Sequence, residues 1–268
     1  MITFAKRLLL IALLLTLSAC TFNLSSIFKV STEPQHLVVK VLSKIPHDTT
    51  AFTEGLLWFD GKLYESAGNY GQSSLREVDA QTGKVLRVVN IDQKYFAEGL
   101  ALVDDKLIQL TWKEATAFIY DRESLTQIGS FSYSGEGWGM CYDGAQLYMS
   151  DGSAMITVRD PKTFDVIRRI QVTQDAKPID QLNELECVGN QLYENVWMTN
   201  NILQIDKASG RVTAVIDASG LLTPDETEKI SGAGGVLNGI AYNGQKQDFL
   251  ITGKLWPWMF EVQFVPSN

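Results

Sequence analysis

The sequence predicts an all-β protein, folded as a five-bladed β-propeller whose blades each contain four antiparallel strands. Five segments share one pattern, in which a short apolar strand is followed by a second strand across a turn that contains Gly, Asp or Asn. The second strands open at Leu63, Leu107, Leu147, Leu192 and Leu250, so successive units lie 44, 40, 45 and 58 residues apart. Periods of this length, filled with short strands, are typical of propeller blades.

The longer last period is explained by an insertion from Gly220 to Gly235. Within it, Thr223 is a suitable N-cap, Pro224 stands at the first helical position, and Glu226 occupies the capping-box position. The insertion is therefore predicted to contain a short helix.

The first 19 residues have the composition of a secretion signal. A basic pair precedes an unbroken apolar run from Leu8 to Leu15, which is too short to span a bilayer as a permanent helix. The segment Leu17-Ser18-Ala19-Cys20 resembles the bacterial lipobox, which implies lipidation of Cys20; an ordinary signal with an incidental cysteine is the alternative. No Asp follows Cys20, which resembles outer-membrane sorting. The expected location is the periplasmic side of the bacterial cell envelope, with a lipid anchor in the outer membrane.

The remainder is predicted to comprise a polar tether over residues 20–35 and one propeller domain over residues 36–268. His36 to Leu42 alternates as a strand, and the chain ends in another, from Met259 to Val265. These two strands are expected to lie side by side in the last blade and so to close the ring. The domain is expected to act as a monomer.

Composition argues against several classes of function. The formal net charge is −8, and it becomes −10 once the signal is removed, so binding to nucleic acid is not expected. His36 and His47 are the only histidines, which argues against a zinc site built from several of them. Nucleophile-elbow, Walker and dinucleotide motifs are absent from the sequence. Carboxylate, amide, lysine and aromatic side chains remain, and this set suits proton transfer in an aromatic pocket.

Beyond Cys20, two cysteines remain, Cys141 and Cys187, near the first strands of consecutive blades. Each is expected to be a small buried residue. A disulfide between them is the alternative that an export compartment permits.

A site is expected at one end of the ring, because the repeats differ there at equivalent positions. The bland alternative is that these side chains fill gaps of different shape and neutralise one another's charges. Two positions after each opening leucine, and just beyond, the chain carries Glu65, Gln109, Met149, Glu194 and Thr252, then Trp112, Asp151, Trp197 and Lys254.

Nine motifs, in order from about Pro46 to Glu261, resemble the plant and bacterial type of glutaminyl-peptide cyclotransferase. They are Pro46-His47-Asp48 with Ala51-Phe52-Thr53-Glu54-Gly55-Leu56, Leu63-Tyr64-Glu65-Ser66, Tyr70-Gly71-Gln72-Ser73-Ser74-Leu75-Arg76, Phe96-Ala97-Glu98-Gly99-Leu100, Gly137-Trp138-Gly139, Leu182-Asn183-Glu184-Leu185-Glu186, Asn195-Val196-Trp197, Leu237-Asn238-Gly239-Ile240-Ala241 and Thr252-Gly253-Lys254-Leu255-Trp256-Pro257. The resemblance implies a five-bladed propeller that converts the N-terminal glutamine of peptides or proteins to pyroglutamate with loss of ammonia.

The resemblance also implies catalytic residues. It places the acid/base at Glu65, whose pKa a desolvated aromatic pocket is expected to raise, and assigns Lys254 and Asn183 to the charge that develops on the carboxamide oxygen. The alternative is that Glu65 and Lys254 form a structural ion pair across the channel.

Six further residues are expected to bind the substrate. Glu54 stands where the family often carries glutamine, so its carboxylate is a candidate partner for the substrate α-amine or a group that raises a neighbour's pKa. Asn238 is a candidate hydrogen-bonding group. The resemblance places the aromatic walls of the substrate pocket at Phe52, Tyr64, Trp112 and Trp197.

No cofactor or catalytic metal is required by this chemistry. Glu98 and Trp138 are expected to line the central channel, where converging carboxylates and carbonyls are a candidate structural calcium site, although the sequence has no dedicated calcium loop. Two other functions stay open: a non-catalytic periplasmic propeller lipoprotein that binds peptides or envelope proteins, and a metal-dependent lactonase-like propeller.

Overall fold

The structure is a computed structural model that describes residues 33–267. The predicted signal peptide over residues 1–19, Cys20 and most of the predicted tether lie outside the described residues. Within residues 33–267, no helix has both the length and the apolar character needed to cross a membrane.

Strands dominate the described chain, which begins with β1 (Gln35–Pro46). Three antiparallel sheets follow, each made of four consecutive strands. The first contains β2 (Thr53–Phe59), β3 (Lys62–Ala67), β4 (Ser74–Asp79) and β5 (Val85–Asn90); the second contains β6 (Ala97–Val103), β7 (Lys106–Thr111), β8 (Thr116–Asp121) and β9 (Gln127–Ser132); the third contains β10 (Met140–Tyr142), β11 (Leu147–Met149), β12 (Met155–Arg159) and β13 (Val166–Gln171).

The second half of the chain forms a small hairpin and an eight-stranded sheet. The hairpin pairs β14 (Thr173–Gln174) with β15 (Lys177–Pro178). The larger sheet contains β16 (Leu182–Val188), β17 (Gln191–Val196), β18 (Asn201–Asp206), β19 (Val212–Asp217), then, after helix α1 (Pro224–Ser231), β20 (Leu237–Asn243), β21 (Asp248–Gly253) and β22 (Trp258–Pro266). Its strand order is β16-β17-β18-β19-β1-β22-β21-β20, so β1 joins two runs of antiparallel strands.

The pairing of the two chain ends is confirmed. β1 runs antiparallel to β22 from Leu37 opposite Pro266 to Pro46 opposite Trp258, and it also pairs in parallel with β19. The N-terminal strand therefore covers the edge of the last strand, which protects the backbone groups that an exposed edge would leave unpaired.

The first strands of the five repeats lie against one another. β2 contacts β6, β6 contacts β10, β10 contacts β16, β16 contacts β20, and β20 returns to β2. This approach is close enough to require glycine: a Cβ on Gly55 would lie 2.7 Å from the backbone nitrogen of Leu100, and one on Gly99 would lie 2.5 Å from the backbone of Gly139. The glycine that recurs in the sequence motifs therefore permits the first strands of neighbouring repeats to approach each other closely.

Apolar side chains fill the space between neighbouring sheets. One cluster, for example, joins Ile156 and Val158 of β12 to Leu203 and Ile205 of β18, all fully buried. Burial of such aliphatic side chains is the main stabilising contribution in a sheet protein of this kind.

The predicted helix in the insertion is confirmed. Thr223 caps α1, its side chain accepts a hydrogen bond from the backbone of Glu226, and the Glu226 side chain returns to the backbone of Thr223. Ile230 is the buried residue of the helix, and it belongs to the apolar cluster that also contains Leu237 and Ile240 of β20.

The expectation of two free cysteines is wrong. Cys141 in β10 and Cys187 in β16 form a disulfide with a Cα–Cα distance of 5.6 Å. Their strands belong to consecutive repeats, and the first strands of consecutive repeats are adjacent in space, so residues 46 positions apart in sequence meet.

Replacing both cysteines with alanine is expected to lower the free energy of unfolding by about 2–4 kcal/mol, because the crosslink restricts the unfolded chain over a loop of 46 residues. Urea unfolding of the oxidised protein and the double variant measures the difference. Equal unfolding midpoints would show that the crosslink contributes nothing to stability.

Candidate active site

A cavity of about 270 Å³ lies where the first strands of the repeats begin and the second strands end. Because the first and second strands are antiparallel, the start of the first and the end of the second lie at the same end of each sheet. The lining residues are Phe52, Glu54, Asn69, Phe96, Glu98, Trp112, Trp138, Asn183, Trp197, Met198, Gly234 and Lys254. A larger cavity of about 390 Å³ lies elsewhere, against Trp58 and the exposed Lys246–Glu261 ion pair, and it has no comparable set of buried groups.

Irregular starts of the first strands place the polar groups of the cavity. The ladder between β2 and β3 shifts register between Thr53 and Gly55, at Glu54. Similar shifts occur at Glu98 in β6, at Asn183 in β16 and at Asn238 in β20. Such bulges release a residue from the regular alternation of faces and re-aim its side chain.

Aromatic side chains form the walls. Phe96 meets Phe52 edge to face with ring centroids 6.2 Å apart, and it meets Trp112 at 5.6 Å. On the other side, Trp138 and Trp197 stand perpendicular with centroids 5.6 Å apart. These rings make the cavity apolar around its few polar groups, which is the usual composition of a small-molecule site.

One carboxylate fixes two of these walls. Glu136 Oε2 accepts hydrogen bonds from Trp112 Nε1 at 2.8 Å and from Trp138 Nε1 at 3.0 Å. The two indoles are thereby held at a constant separation across the cavity.

Three ionisable groups meet at the base of the cavity. Lys254 Nζ donates to Glu54 Oε1 at 2.7 Å, and the Glu54 and Glu98 carboxyls are hydrogen-bonded to each other. Glu54, Glu98 and Lys254 are 2%, 6% and 5% exposed. Lys254 Nζ also lies 4.8 Å from the centre of the Phe52 ring, so its charge faces both a carboxylate and an aromatic surface.

The environment of the two carboxyls favours one shared proton. Burial raises the pKa of Glu98 well above its ordinary value, and the negative charge of Glu54 raises it further. Burial also raises the pKa of Glu54, although the Lys254 ammonium opposes the effect. Of the two carboxyls, Glu98 therefore has the stronger tendency to hold a proton, as expected for a pair of carboxyls at short distance.

Two asparagines flank the ionic group. Asn183 is 2% exposed and lines the cavity, and its Oδ1 has no hydrogen-bond partner among residues 33–267. Asn238 lies behind the cavity: its Nδ2 donates to the carbonyl of Thr53 at 2.9 Å and to Glu54 Oε2 at 3.1 Å. Asn183 is thus available to a ligand, whereas Asn238 orients Glu54.

Six of the sequence-predicted site residues lie together in the cavity, and they are Phe52, Glu54, Trp112, Asn183, Trp197 and Lys254. Tyr64 does not. It is 1% exposed and packs in the core with Leu100 and Phe118, because it lies in the middle of β3 on the face turned toward the next sheet.

Glu65 is also outside the cavity lining. It lies within β3, opposite Leu56 and Arg76, whereas the cavity is lined by residues at the starts of first strands and after the ends of second strands. The expected rise in its pKa is wrong: burial alone would raise it, but the adjacent His47 charge lowers the pKa of Glu65 below its ordinary value. The alternative pairing of Glu65 with Lys254 is wrong as well, since Lys254 pairs with Glu54.

Sequence reasoning did not assign Glu98 to the cavity and placed it only in the channel. The signal was present: Phe52-Thr53-Glu54-Gly55-Leu56 and Phe96-Ala97-Glu98-Gly99-Leu100 are the same motif in adjacent repeats. Because β2 and β6 are neighbours, the two glutamates meet. Phe96, Trp138 and Met198 also line the cavity, and the sequence had not assigned them to the substrate.

The predicted calcium site gains no support. Among the described residues, no three or more His, Cys, Asp or Glu side chains are grouped as metal ligands. The channel carboxylate Glu184 accepts from the backbone nitrogens of Leu56 and Ile240 at 3.2 and 2.8 Å, so it already has protein partners.

The protein resembles known enzymes in sequence and in structure. A family model described as glutamine cyclotransferase matches residues 9–264. The chain belongs to the glutamine cyclotransferase family. A glutaminyl-peptide cyclotransferase of Arabidopsis thaliana is 38% identical over 238 residues, which cover 86% of this chain and 72% of the plant protein. The crystal structure of Myxococcus xanthus glutaminyl cyclase matches with a TM-score of 0.80 and 36% identity, over 88% of this chain and all of that one.

Family membership confirms that the chain is a glutamine cyclotransferase. The interpretation as a non-catalytic binding propeller is therefore not retained. The cavity brings together two buried carboxyls, a buried lysine, an amide oxygen without a partner among the described residues, and aromatic walls.

Proposed function

We propose that the cavity binds the N-terminal glutamine of a peptide or protein and converts it to pyroglutamate, with Glu98 as the group that transfers protons. The observation that carries this proposal is the buried Glu98 carboxyl, hydrogen-bonded to Glu54 in a cavity that also contains Lys254. A carboxyl with a raised pKa can both hold and release a proton near neutral pH, which is what an acid/base catalyst must do.

Substrate binding uses the aromatic walls and the open side of the cavity. The glutamine side chain fits between the rings of Trp112, Trp138 and Trp197, where it is held in the compact conformer that brings its own amine to its carboxamide. The rest of the peptide leaves past Trp197 and Met198, which are 38% and 67% exposed. An N-terminal residue is therefore selected because the cavity has room for one side chain and its amine.

Proton transfer involves the paired carboxyls. The substrate α-ammonium must lose a proton to solvent before it can attack, and its ordinary pKa of about 7.7 to 8.0 leaves a neutral fraction near neutral pH. The neutral amine then forms a bond to the carboxamide carbon, and Glu98 donates its proton to the departing nitrogen, which leaves as ammonia. The second proton of the attacking amine passes to the Glu98 carboxylate, which restores the pair to its singly protonated state. The products are the lactam, ammonia and the one proton released from the ammonium.

Charge on the carboxamide oxygen is stabilised by Lys254 and Asn183. Both side chains line the cavity, and both are at least nine-tenths buried, so a hydrogen bond to the developing oxyanion is strong. The amide of Asn183 has an unpaired oxygen for the substrate amine and a nitrogen for its carbonyl.

The proposal includes the five-bladed propeller. Its support is the cyclic contact of β2, β6, β10, β16 and β20, together with the division of the eight-stranded sheet at the parallel contact of β1 with β19. The cavity is then at one end of the ring axis, as the sequence repeats predict.

The activity is tested with a peptide that begins with Gln and a second peptide that begins with Asn and is otherwise identical. Mass spectrometry and ammonia release are expected to detect loss of ammonia from the Gln peptide alone, above the spontaneous rate. Absence of such loss from a folded sample would overturn the proposed function.

Replacing Glu54 with glutamine is expected to lower the pKa of Glu98, because it removes the negative charge that raises it and leaves Lys254 as its nearest ion. Infrared titration of the protonated carboxyl, taken as a difference against the Glu98→Gln variant, measures this pKa. Turnover is expected to persist, because the variant keeps Glu98 and Lys254. An unchanged pKa would contradict a shared proton.

The proposed chemistry uses only side chains, so treatment with a chelator is expected to leave kcat/KM unchanged. The measurement is ammonia release before and after dialysis against EDTA. Loss of activity that calcium restores would contradict this expectation and would support the calcium site predicted from the sequence.

We also propose that Cys20 carries the lipid anchor and that the enzyme faces the periplasm from the outer membrane. The disulfide between Cys141 and Cys187 supports an oxidising compartment. Labelling with a radioactive fatty acid, followed by membrane fractionation, is expected to find label on the native chain in the outer-membrane fraction. A Cys20→Ala variant that keeps the label would exclude this anchor.

A further inference from the structure

A buried histidine connects the chain segment that carries Glu54 to the segment that carries Lys254, although it does not itself line the cavity. His47 follows β1, and its side chain is 2% exposed. One ring nitrogen, Nε2, lies 2.8 Å from Glu65 Oε1, and the other, Nδ1, lies 2.7 Å from the carbonyl oxygen of Trp256. Neither Glu65 nor His47 lines the cavity, so the proposed chemistry makes no use of this pair.

The partners of His47 determine its charge. A backbone carbonyl only accepts hydrogen bonds, so Nδ1 must carry a proton. Glu65 Oε1 also accepts from Thr53 Oγ1 at 2.7 Å. Burial alone would raise the pKa of Glu65, but the His47 and Arg76 charges hold it below its ordinary value, so Oε1 belongs to a carboxylate and Nε2 donates to it. The hydroxyl of Thr252 lies 3.4 Å from Nδ1, but it donates its proton to the carbonyl of Trp258. It therefore does not donate to an unprotonated Nδ1. A ring with protons on both nitrogens is an imidazolium.

The surrounding charges are balanced. Glu65 faces His47 from β3, Asp48 follows it in the chain, and Arg76 of β4 lies 3.0 Å from Asp48 and 4.0 Å from the second oxygen of Glu65. Burial alone would lower the pKa of His47, but the Glu65 carboxylate outweighs it and leaves that pKa above the ordinary value of 6.5.

The His47–Glu65 pair contacts both chain segments that supply the ion pair of the cavity. On one side, Glu65 holds Thr53, which stands between Phe52 and Glu54 in the chain. On the other, His47 holds Trp256, two residues after Lys254. Two backbone hydrogen bonds run parallel to these contacts, from His47 to the carbonyl of Pro257 at 2.9 Å and from Leu255 to the carbonyl of Ala51 at 2.7 Å.

We propose that His47 is a charged imidazolium which, with Glu65, clamps the segment of Glu54 to the segment of Lys254 and so positions the ion pair in the cavity. His47 and Glu65 are positioning residues, and their relevance to catalysis rests on the proposed function. Loss of the His47 proton removes one hydrogen bond of the clamp, either to Glu65 or to Trp256, and frees one wall from the other.

The pH dependence follows from the direction of the shift. Because the pKa of His47 is higher in the folded protein than in the unfolded chain, its stabilising contribution is complete below the ordinary pKa and is lost as the pH rises through the folded value. The clamp therefore releases on the alkaline side, and activity is expected to fall there.

The charge is tested directly by nuclear magnetic resonance on protein labelled with ¹⁵N-histidine. Since His36 and His47 are the only histidines, the exposed His36→Gln substitution leaves one signal. At about pH 7, where an ordinary imidazole is largely neutral, both ring nitrogens of His47 are expected to be protonated. A single protonated nitrogen at that pH would overturn the proposal. This measurement needs no turnover, so it is independent of the proposed function.

The positioning role is tested with the Glu65→Gln variant, which removes the negative charge but keeps the shape. We expect kcat to fall between about 10- and 100-fold, as for a small misplacement of reacting groups, and the alkaline loss of activity to move to lower pH. The matched control is Asp143→Asn, which breaks the partly buried Lys207–Asp143 pair outside the cavity and should lower stability without changing the pH profile. A Glu65→Gln variant that resembles this control in both respects would overturn the clamp.

Discussion

Replacement of Glu98 with glutamine is expected to lower kcat by about 100- to 10,000-fold, the usual contribution of a general acid or base. Glutamine has the shape of the protonated carboxyl and can still donate to Glu54, but it cannot release a proton. The cavity walls and Lys254 are unchanged, so KM is expected to stay within a few-fold. Steady-state ammonia release from a Gln-initiated peptide measures both constants.

The matched control for this variant is Glu194→Gln. Glu194 is a fully buried carboxyl in β17 whose pKa burial also raises well above the ordinary value, yet it does not line the cavity. Turnover by the Glu194→Gln variant is expected to remain near that of the unchanged protein. Equal losses in the two variants would attribute the effect to buried carboxyls in general rather than to Glu98.

Replacement of Lys254 with methionine is expected to have two separable effects. First, kcat falls by about 100- to 1,000-fold, because a donor to the developing oxyanion is lost. Second, the free energy of unfolding falls by about 3–5 kcal/mol, because Glu54 is left buried without its partner. Kinetics and urea unfolding measure the two effects independently.

The double variant Glu54→Gln with Lys254→Met tests whether Lys254 acts in catalysis or only neutralises the charge of Glu54. It removes both members of the ion pair, so most of the lost stability is expected to return while kcat stays low. Recovery of kcat together with stability would mean that Lys254 only neutralises Glu54, and the assignment of an oxyanion donor would be incorrect.

The repeat pattern was sufficient to predict the sheets, the pairing of β1 with β22 and the helix in the insertion. Each of these depends on local signals: alternation of apolar residues, turn residues and a capping box. The disulfide was not predicted, since it depends on the distance between strands of different repeats. Cys141 and Cys187 become neighbours only when β10 and β16 pack together.

The position of the cavity was predictable, but the carboxylates that line it were not. Trp112, Trp197 and Lys254 directly follow second strands, and that position alone places them at the cavity. Glu65 lies inside β3, two residues before its end, and faces His47. Glu54 and Glu98 reach the cavity through bulges at the starts of β2 and β6, and no alternation pattern foretells which face a bulged residue takes.

The central claim, that N-terminal glutamine is bound against Glu98, is tested most directly by a crystal structure of the Glu98→Gln variant with a Gln-initiated tripeptide. We expect the glutamine side chain between Trp112, Trp138 and Trp197, its carboxamide oxygen within hydrogen-bond distance of Lys254 or Asn183, and its α-amine within such distance of Glu54 and the side chain at position 98. A tripeptide bound outside the cavity, or inside it with the α-amine beyond reach of both carboxyl positions, would contradict the account.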